Sequence, residues 1–169
     1  DFDLTQHQIF SKKDMSVFVE SQKKKIVPHV FEVSMGVDRM MFSLLEHAFR
    51  EKSAEKDWEW FDLPPSIAPY DVAVFPLMKK DGMSEKAEGI AAMLRKSFTV
   101  FYSESGSIGK RYAKADEIGT PYAITVDYDT LKDGTLTIRY RNDGKQERVK
   151  IEELEKKIKD NASASKVTL

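Results

Sequence analysis

The chain has 169 residues, of which 41% are hydrophobic and 33% are charged, and this length suffices for one domain or for one domain with part of another. It contains no cysteine, which excludes a disulfide framework, a thiolate metal site and a thiol nucleophile. The formal net charge of -1 excludes nucleic-acid binding driven by an overall positive field and leaves only local basic patches.

The first clear elements are a strand followed by a helix. The segment "VPHVFEVS", residues 27–34, is predicted as a strand because valines and an aromatic residue dominate it. A period of two places Val30, Glu32 and Ser34 on one face. After Gly36, apolar residues spaced three and four apart predict an amphipathic helix with a core-facing stripe of Val37, Met40, Met41, Leu44, Leu45 and Ala48.

A polar and aromatic stretch follows and ends in "LPPSIAP", where successive prolines prevent a helix from continuing. We therefore predict a domain boundary here. The predicted organisation is a first domain of residues 1–50, a linker of residues 51–65 and a second domain of residues 66–169.

The second domain alternates strands with helices. Strands are predicted at residues 72–76, 99–102, 122–126, 135–141 and 147–151, and helices at 84–96, 108–118 and from near 152. Alternation implies parallel pairing, while "NDG" before the last strand indicates an antiparallel hairpin. The predicted fold class is α/β, with a mixed, mostly parallel five-stranded sheet flanked by helices and a polar tail, "DNASASK", that frays.

The stretch "SGSIGKRYAKADEIGTP" has the glycines and lysine of a phosphate-binding loop. A Walker loop requires glycine and Ser or Thr at the positions that Glu104 and Arg111 occupy, so this type of site is excluded. Gly106 and Ser107 are instead predicted to start a helix, and Gly119 with Pro121 to end it.

The basic residues of this helix divide between its two faces. Arg111 falls within the apolar stripe and is expected to pair with a carboxylate, for which Asp116 is a nearby candidate. Lys110 and Lys114 point away from the stripe, where they suit a phosphate backbone or form ordinary solvated surface. We keep all three basic residues as candidate RNA contacts.

Three residues around Gly36 could form a substrate site. Glu32 could hold an ammonium group, Ser34 could discriminate by hydrogen bonding, and Arg39 in the first turn of a helix could clamp a phosphate. The alternative is that Glu32 is an exposed strand residue and forms a salt bridge with Arg39. Spacing alone does not separate these two interpretations.

Longer stretches carry a family resemblance. "VPHVFEVSMGVDRMMFSLLEHAF" resembles the third signature motif of class II aminoacyl-tRNA synthetases, in the form found in the glycyl-tRNA synthetase family. "DFDLTQHQIFSKKDM" resembles the segment just upstream of that motif. "LPPSIAPYDVAVFPL" and "SGSIGKRYAKADEIGTPYAITVDYDT" resemble the anticodon-binding domain of the same family, and together the blocks cover residues 1 to about 155.

The resemblance implies specific roles. Glu32 would bind the α-ammonium of glycine, Ser34 would line the amino-acid pocket, and Arg39 would contact the ATP phosphates. Val33 stands where proline is commoner in the family. Residues 1–50 would be a strand and helix of the antiparallel class II catalytic domain, and the second domain would read the anticodon of tRNA(Gly).

The implied parent protein is a cytoplasmic, homodimeric ligase that uses ATP and Mg to attach glycine to tRNA(Gly). Because motifs 1 and 2 of the family are not found in the sequence, we expect this chain alone to be inactive and most Mg ligands to lie outside it. No metal site is predicted within the chain, and no apolar run approaches the roughly 20 residues of a membrane span. The alternative function is a non-catalytic nucleic-acid-binding module derived from a synthetase scaffold, such as a polymerase accessory subunit.

Overall fold

The computed structural model describes residues 2–54 and 56–164. The chain divides into two compact units, residues 1–42 and residues 43–169, which we call unit 1 and unit 2. The predicted frayed tail is helical as far as Ala164, and its last residues lie outside the described ranges. No helix in the described ranges is long and apolar enough to cross a membrane.

Unit 1 is built from short elements: β1 (Phe2–Asp3), α1 (Thr5–Ser11), β2 (Val17–Val19), a 3-10 turn (Glu20–Gln22), β3 (Lys24–Ile26), β4 (His29–Val30) and the start of α2 (Val37–Ala48). The strands form two antiparallel pairs, β1 with β4 and β2 with β3. Within the predicted strand at 27–34 only β4 is regular, and it pairs with the two residues of β1. Residues 31–36 have no regular structure.

Helix α2 begins after Gly36 as its periodicity predicts, but the predicted packing of its first half is wrong. Val37 is 71% exposed and Met41 is 55% exposed, whereas Ala48 at the other end is buried. None of the residues 3–42 is buried, so the described part of unit 1 has no core that could cover the stripe.

Unit 2 contains a short ribbon and a five-stranded sheet. Its elements are β5 (Phe49–Arg50), β6 (Trp60–Phe61), β7 (Val72–Pro76), α3 (Met83–Leu94), β8 (Val100–Tyr102), α4 (Ile108–Glu117), β9 (Tyr122–Val126), α5 (Tyr128–Asp133), β10 (Thr135–Tyr140), β11 (Gln146–Lys150) and α6 (Ile151–Ala164). The strand order is β11-β10-β9-β7-β8. The mixed α/β sheet is confirmed, but its pairings are evenly divided: β7 is parallel to β8 and β9, and the other two pairings are antiparallel.

The helices cover both faces of this sheet. Buried side chains of α3 and α6, such as Ile90 and Leu154, share one cluster with Val72, Ile124 and Leu136. The helix α4 packs on the other face, where its Ala115 meets a second cluster of sheet residues. The chain therefore changes sides between its first two helical crossovers, as right-handed connections on either side of β7 require.

A buried charge cluster fixes part of the predicted linker to unit 2. The Asp116 carboxylate accepts a pair of hydrogen bonds from the Arg139 guanidinium, at 2.9 and 3.1 Å, and lies 3.2 Å from Lys56 Nζ. Trp58 Nε1 also donates to it, at 3.1 Å, and Lys56 Nζ lies 3.7 Å from the centre of the Trp60 ring. Burial lowers the pKa of Lys56, and the charge of Asp116 opposes this effect.

Candidate nucleic-acid interface

The three parallel strands of unit 2 end at the same edge of the sheet. After β7 the chain turns to α3 on one face, and after β8 it turns to α4 on the other. Loops that separate in this way leave a crevice beyond the strand ends, which is where open α/β sheets bind ligands. We call this region the carboxyl edge and define it as residues 77–82, 103–110 and 127–132.

The helix α4 starts at the carboxyl edge as the sequence predicts. Ser107 has an extended conformation, and its hydroxyl accepts a hydrogen bond from the Lys110 amide at 3.4 Å. Lys110 is exposed, as is Lys114 one turn later. Neither lysine forms an ion pair with a described residue, so both ammonium groups are available to an external anion.

Arg111 is buried, as its place in the apolar stripe predicts, but its predicted pairing with Asp116 is wrong. The guanidinium donates to the carbonyl oxygens of Pro76 at 2.5 Å, Leu77 at 3.3 Å and Ser103 at 3.4 Å. A helical wheel identifies the face of a side chain but not the partner that another element brings to it. Since Arg111 is only 5% exposed, it supports the two loops from beneath, and its prediction as a direct RNA contact does not fit its burial.

An ion pair joins the same two loops at the surface. Lys79 Nζ lies 2.9 Å from the Glu104 carboxylate. The contact with the Lys79 ammonium holds the pKa of Glu104 below its ordinary value. Tyr102, at the end of β8, donates its hydroxyl to Glu104, and burial raises the pKa of Tyr102 to about 12. The loops after β7 and β8 are therefore joined by the Lys79–Glu104 ion pair at the surface and by the Arg111 hydrogen bonds beneath it.

The third loop leads into α5, an element that the sequence prediction missed. Asp127 accepts a hydrogen bond from the Thr130 amide at 3.0 Å, and the Thr130 hydroxyl accepts one from the Asp127 amide at 3.0 Å. This reciprocal cap at the start of α5 and Gly134 after its last residue are the sequence signals that could have predicted the helix. Burial alone would raise the pKa of Asp127, but hydrogen bonds from Arg148 and Thr130 hold it below its ordinary value.

The predicted amino-acid and ATP residues all lie in unit 1. Glu32 and Ser34 are exposed in the irregular segment 31–36, so the shared strand face that the prediction assumed is not formed. Arg39 is exposed in the first turn of α2, and its Cγ and Cδ lie 3.9 Å from where a Cβ on Gly36 would stand. The alternative salt bridge between Glu32 and Arg39 is not found among the described residues.

The acidic and histidine side chains of the described residues do not cluster. Among the described residues, no group of at least three His, Cys, Asp or Glu side chains could hold a metal ion.

Comparison with known proteins identifies relatives. The chain is 45% identical over 150 residues to a glycine–tRNA ligase of Chlorobaculum tepidum, which covers 88% of this chain and 32% of the relative. It is 47% identical over 162 residues to a glycine–tRNA ligase of Clostridium kluyveri, with 95% and 35% covered. For a glycine–tRNA ligase of Methanocaldococcus jannaschii the identity is 49% over 138 residues, with 81% and 23% covered.

The chain thus spans about a third or less of the length of these curated relatives. Residues 71–161, more than half of the chain, match a family described as "Anticodon binding domain". This match begins just before β7 and ends within α6, so it contains the whole five-stranded sheet and the carboxyl edge. The chain belongs to the anticodon binding domain family.

Proposed function

We propose that this chain is part of a glycine–tRNA ligase, in which unit 2 binds the anticodon region of tRNA(Gly) and unit 1 contributes to binding glycine and ATP. The supporting observation is that the identity to such ligases extends over 88–95% of the chain and so includes both units. A cytoplasmic location and a homodimeric parent enzyme belong to the same proposal, as do the domain limits 1–50 and 66–169.

The tRNA-binding part of the proposal rests on the carboxyl edge. Lys110 and Lys114 present exposed ammonium groups near the start of α4, where backbone amides also favour an anion. Because the chain as a whole carries a net charge of -1, attraction to RNA has to come from such local groups. Binding should therefore fall steeply as salt is added.

The amino-acid part of the proposal rests on unit 1. Glu32 would hold the α-ammonium of glycine, Ser34 would line its small pocket, and Arg39 would contact the phosphates of ATP. An exposed guanidinium at the start of a helix of 12 residues suits phosphate, since the helix amides reinforce its charge. The parent enzyme would act by orienting the reactants and stabilising phosphate charge, without a covalent nucleophile. Magnesium would further stabilise that charge, and we assign no ligand for it to this chain.

Anticodon recognition is tested by measuring the binding of the 169-residue chain to tRNA(Gly) and to the same tRNA with a substituted anticodon. We expect tighter binding to the unaltered tRNA. Lys110→Ala should weaken both complexes similarly and lower the slope of log affinity against log salt by about one. Lys96→Ala is the matched control, because Lys96 is also exposed but precedes β8 at the opposite edge. Equal affinity for the two tRNAs would contradict anticodon reading.

The amino-acid assignment is tested in the intact ligase by glycine-dependent exchange between ATP and pyrophosphate. Glu32→Gln keeps the shape of the side chain but removes its charge, so we expect the exchange to be lost. Glu46→Gln, at an exposed position later in α2, serves as the control and should retain activity. Near-normal exchange in Glu32→Gln would refute the ammonium role. Absence of exchange in the unaltered intact protein would favour the non-catalytic binding module.

A further inference from the structure

An exposed tyrosine is held in place at the carboxyl edge. Tyr128, the first residue of α5, is 41% exposed, although tyrosine rings usually pack. Its hydroxyl donates to the Asp81 carboxylate at 3.1 Å and lies 3.7 Å from Met78 Sδ. Both partners belong to the loop after β7. The ring is therefore anchored at its polar end, while part of its surface faces solvent.

The residue that anchors the ring has an unusual backbone. Asp81 has a φ of 56°, a left-handed conformation that residues other than glycine seldom adopt, and Gly82 follows with a φ of 80°. Strained backbone conformations of this kind cluster at functional sites. Here the conformation turns the loop so that the Asp81 carboxylate meets the Tyr128 hydroxyl.

The surroundings of the ring combine apolar surface with basic side chains. Met78 is 45% exposed and Leu131, one helical turn after Tyr128, is 40% exposed. Lys80 and Lys132 are exposed beside them in the same loop and helix, and neither forms an ion pair with a described residue. An aromatic ring with adjoining apolar area and nearby ammonium groups is the combination that binds an unpaired base and the phosphates around it.

We propose that Tyr128 is a stacking platform for an unpaired base of the RNA that unit 2 binds, with Asp81 and Met78 holding its ring in position. The inference rests on the proposed function and deepens it, because it names the residue that engages a base. A fixed ring loses little conformational freedom on binding, so most of the stacking energy is retained. Duplex RNA offers no free base face and should not use this platform.

The test uses the 169-residue chain and hairpins of the tRNA(Gly) anticodon arm in which each loop base in turn is replaced by 2-aminopurine. With the unaltered chain, we expect one loop position at which binding quenches the fluorescence by stacking. Tyr128→Ala should abolish that quenching and weaken binding by roughly 5- to 150-fold. Tyr128→Phe should keep the quenching and lose less affinity, because the ring remains.

A matched control and a coupling measurement separate stacking from a general surface effect. Ile67→Ala removes a side chain of similar exposure, 47%, before β7 and should leave binding unchanged. Removing the quenched base to leave an abasic site should weaken binding to the unaltered chain but not weaken it further in Tyr128→Ala. Thermal unfolding of each variant verifies that it is folded.

The outcomes distinguish a failure of anticodon recognition by unit 2 from a failure of the stacking role of Tyr128. If the unaltered chain does not discriminate between anticodon-arm hairpins with the natural and a substituted anticodon, anticodon recognition itself is refuted. If it does discriminate, but Tyr128→Ala binds with unchanged affinity and unchanged quenching at every loop position, the stacking role of Tyr128 is refuted and anticodon recognition stands.

Discussion

The two units use apolar side chains in opposite ways. In unit 2 every residue of β7 and β9 is buried, and helices cover both sheet faces. In unit 1 Phe10 and Phe31 are each 84% exposed. In unit 2 a five-stranded sheet with helices on both faces encloses a core, whereas the described part of unit 1 contains only two-stranded pairs. Apolar residues alone therefore do not make a core.

Charged side chains show the same contrast. Unit 2 buries the Asp116 carboxylate against Arg139 and Lys56, while in unit 1 the ion pair between Lys25 and Asp14 has both side chains more than half exposed. If one partner of a buried ion pair is removed, the other charge stays buried with neither a partner nor water around it. Breaking such a pair therefore strongly destabilises the fold. An exposed pair contributes little.

The largest effect is expected from breaking the buried cluster. Asp116→Ala leaves the Arg139 and Lys56 cations without their partner, and we expect the free energy of unfolding to fall by about 3–5 kcal/mol. Urea unfolding, monitored by circular dichroism, measures this loss of stability. Asp14→Ala in unit 1 should have a much smaller effect. Equal losses in the two variants would remove the distinction between the units.

The next comparison concerns apolar packing. Ile124 is fully buried at the centre of the sheet, so Ile124→Ala should lower the free energy of unfolding by about 2–5 kcal/mol. Phe31→Ala removes a larger side chain from unit 1 but should change the free energy of unfolding by no more than about 0.5 kcal/mol. A large loss on removing Phe31 would mean that unit 1 has a core.

A glycine pair tests whether the proline-rich stretch belongs to the core of unit 2. A Cβ on Gly119 would stand 2.7 Å from Leu63 Cδ1 and 3.0 Å from its Cγ, and Leu63 is buried. Gly134 has a similar positive φ but open space around it. We expect Gly134→Ala to cost about 1 kcal/mol from backbone strain and Gly119→Ala about 2–4 kcal/mol. Equal costs in thermal or urea unfolding would show that Leu63 yields easily.

The smallest expected effects on stability come from two titrating groups, Asp14 at acidic pH and Tyr140 at alkaline pH. Hydrogen bonds from Ser16 and the ammonium of Lys25 lower the pKa of Asp14 to about 2, so its contribution to stability is complete above about pH 4 and is lost as the pH falls through 2. Burial and a hydrogen bond to Glu147 raise the pKa of Tyr140 to about 12, so its contribution is complete below pH 10 and is lost as the pH rises through 12.

Each titration has its own measurement. Carboxyl chemical shifts follow Asp14, and absorbance at alkaline pH follows the tyrosines, where Tyr140→Phe should remove a late-ionising group. Loss of an early-ionising tyrosine from the Tyr140 variant would contradict the raised pKa.

Sequence patterns located the strands and helices of unit 2 well because strong local signals bound them. The ends of β7 and β9 match the prediction, since β-branched runs there lie next to proline or glycine. The helix α5 was missed because six residues are too few to show helical periodicity, although its capping pair was readable.

The sequence could not reveal contacts between distant elements. Arg111 was correctly predicted to be buried, but Arg139, which arrives on β10, takes the carboxylate that was assigned to it. The anchoring of Tyr128 by Asp81 likewise joins residues 47 positions apart. The roles of Glu32, Ser34 and Arg39 were inferred by resemblance, and they stay predictions.

The inward-facing side chain of Arg111 bears on how fast unit 2 would bind the RNA proposed above. Its planar guanidinium bonds to carbonyl groups from both loops, and lysine could not replace it because an ammonium lacks this fixed fork of donors. Loops braced in this way do not have to become ordered during an encounter, so the on-rate should depend on diffusion and salt rather than on a slow rearrangement. Arg111→Lys should therefore loosen the two loops and introduce a concentration-independent phase in stopped-flow binding of the anticodon-arm hairpin.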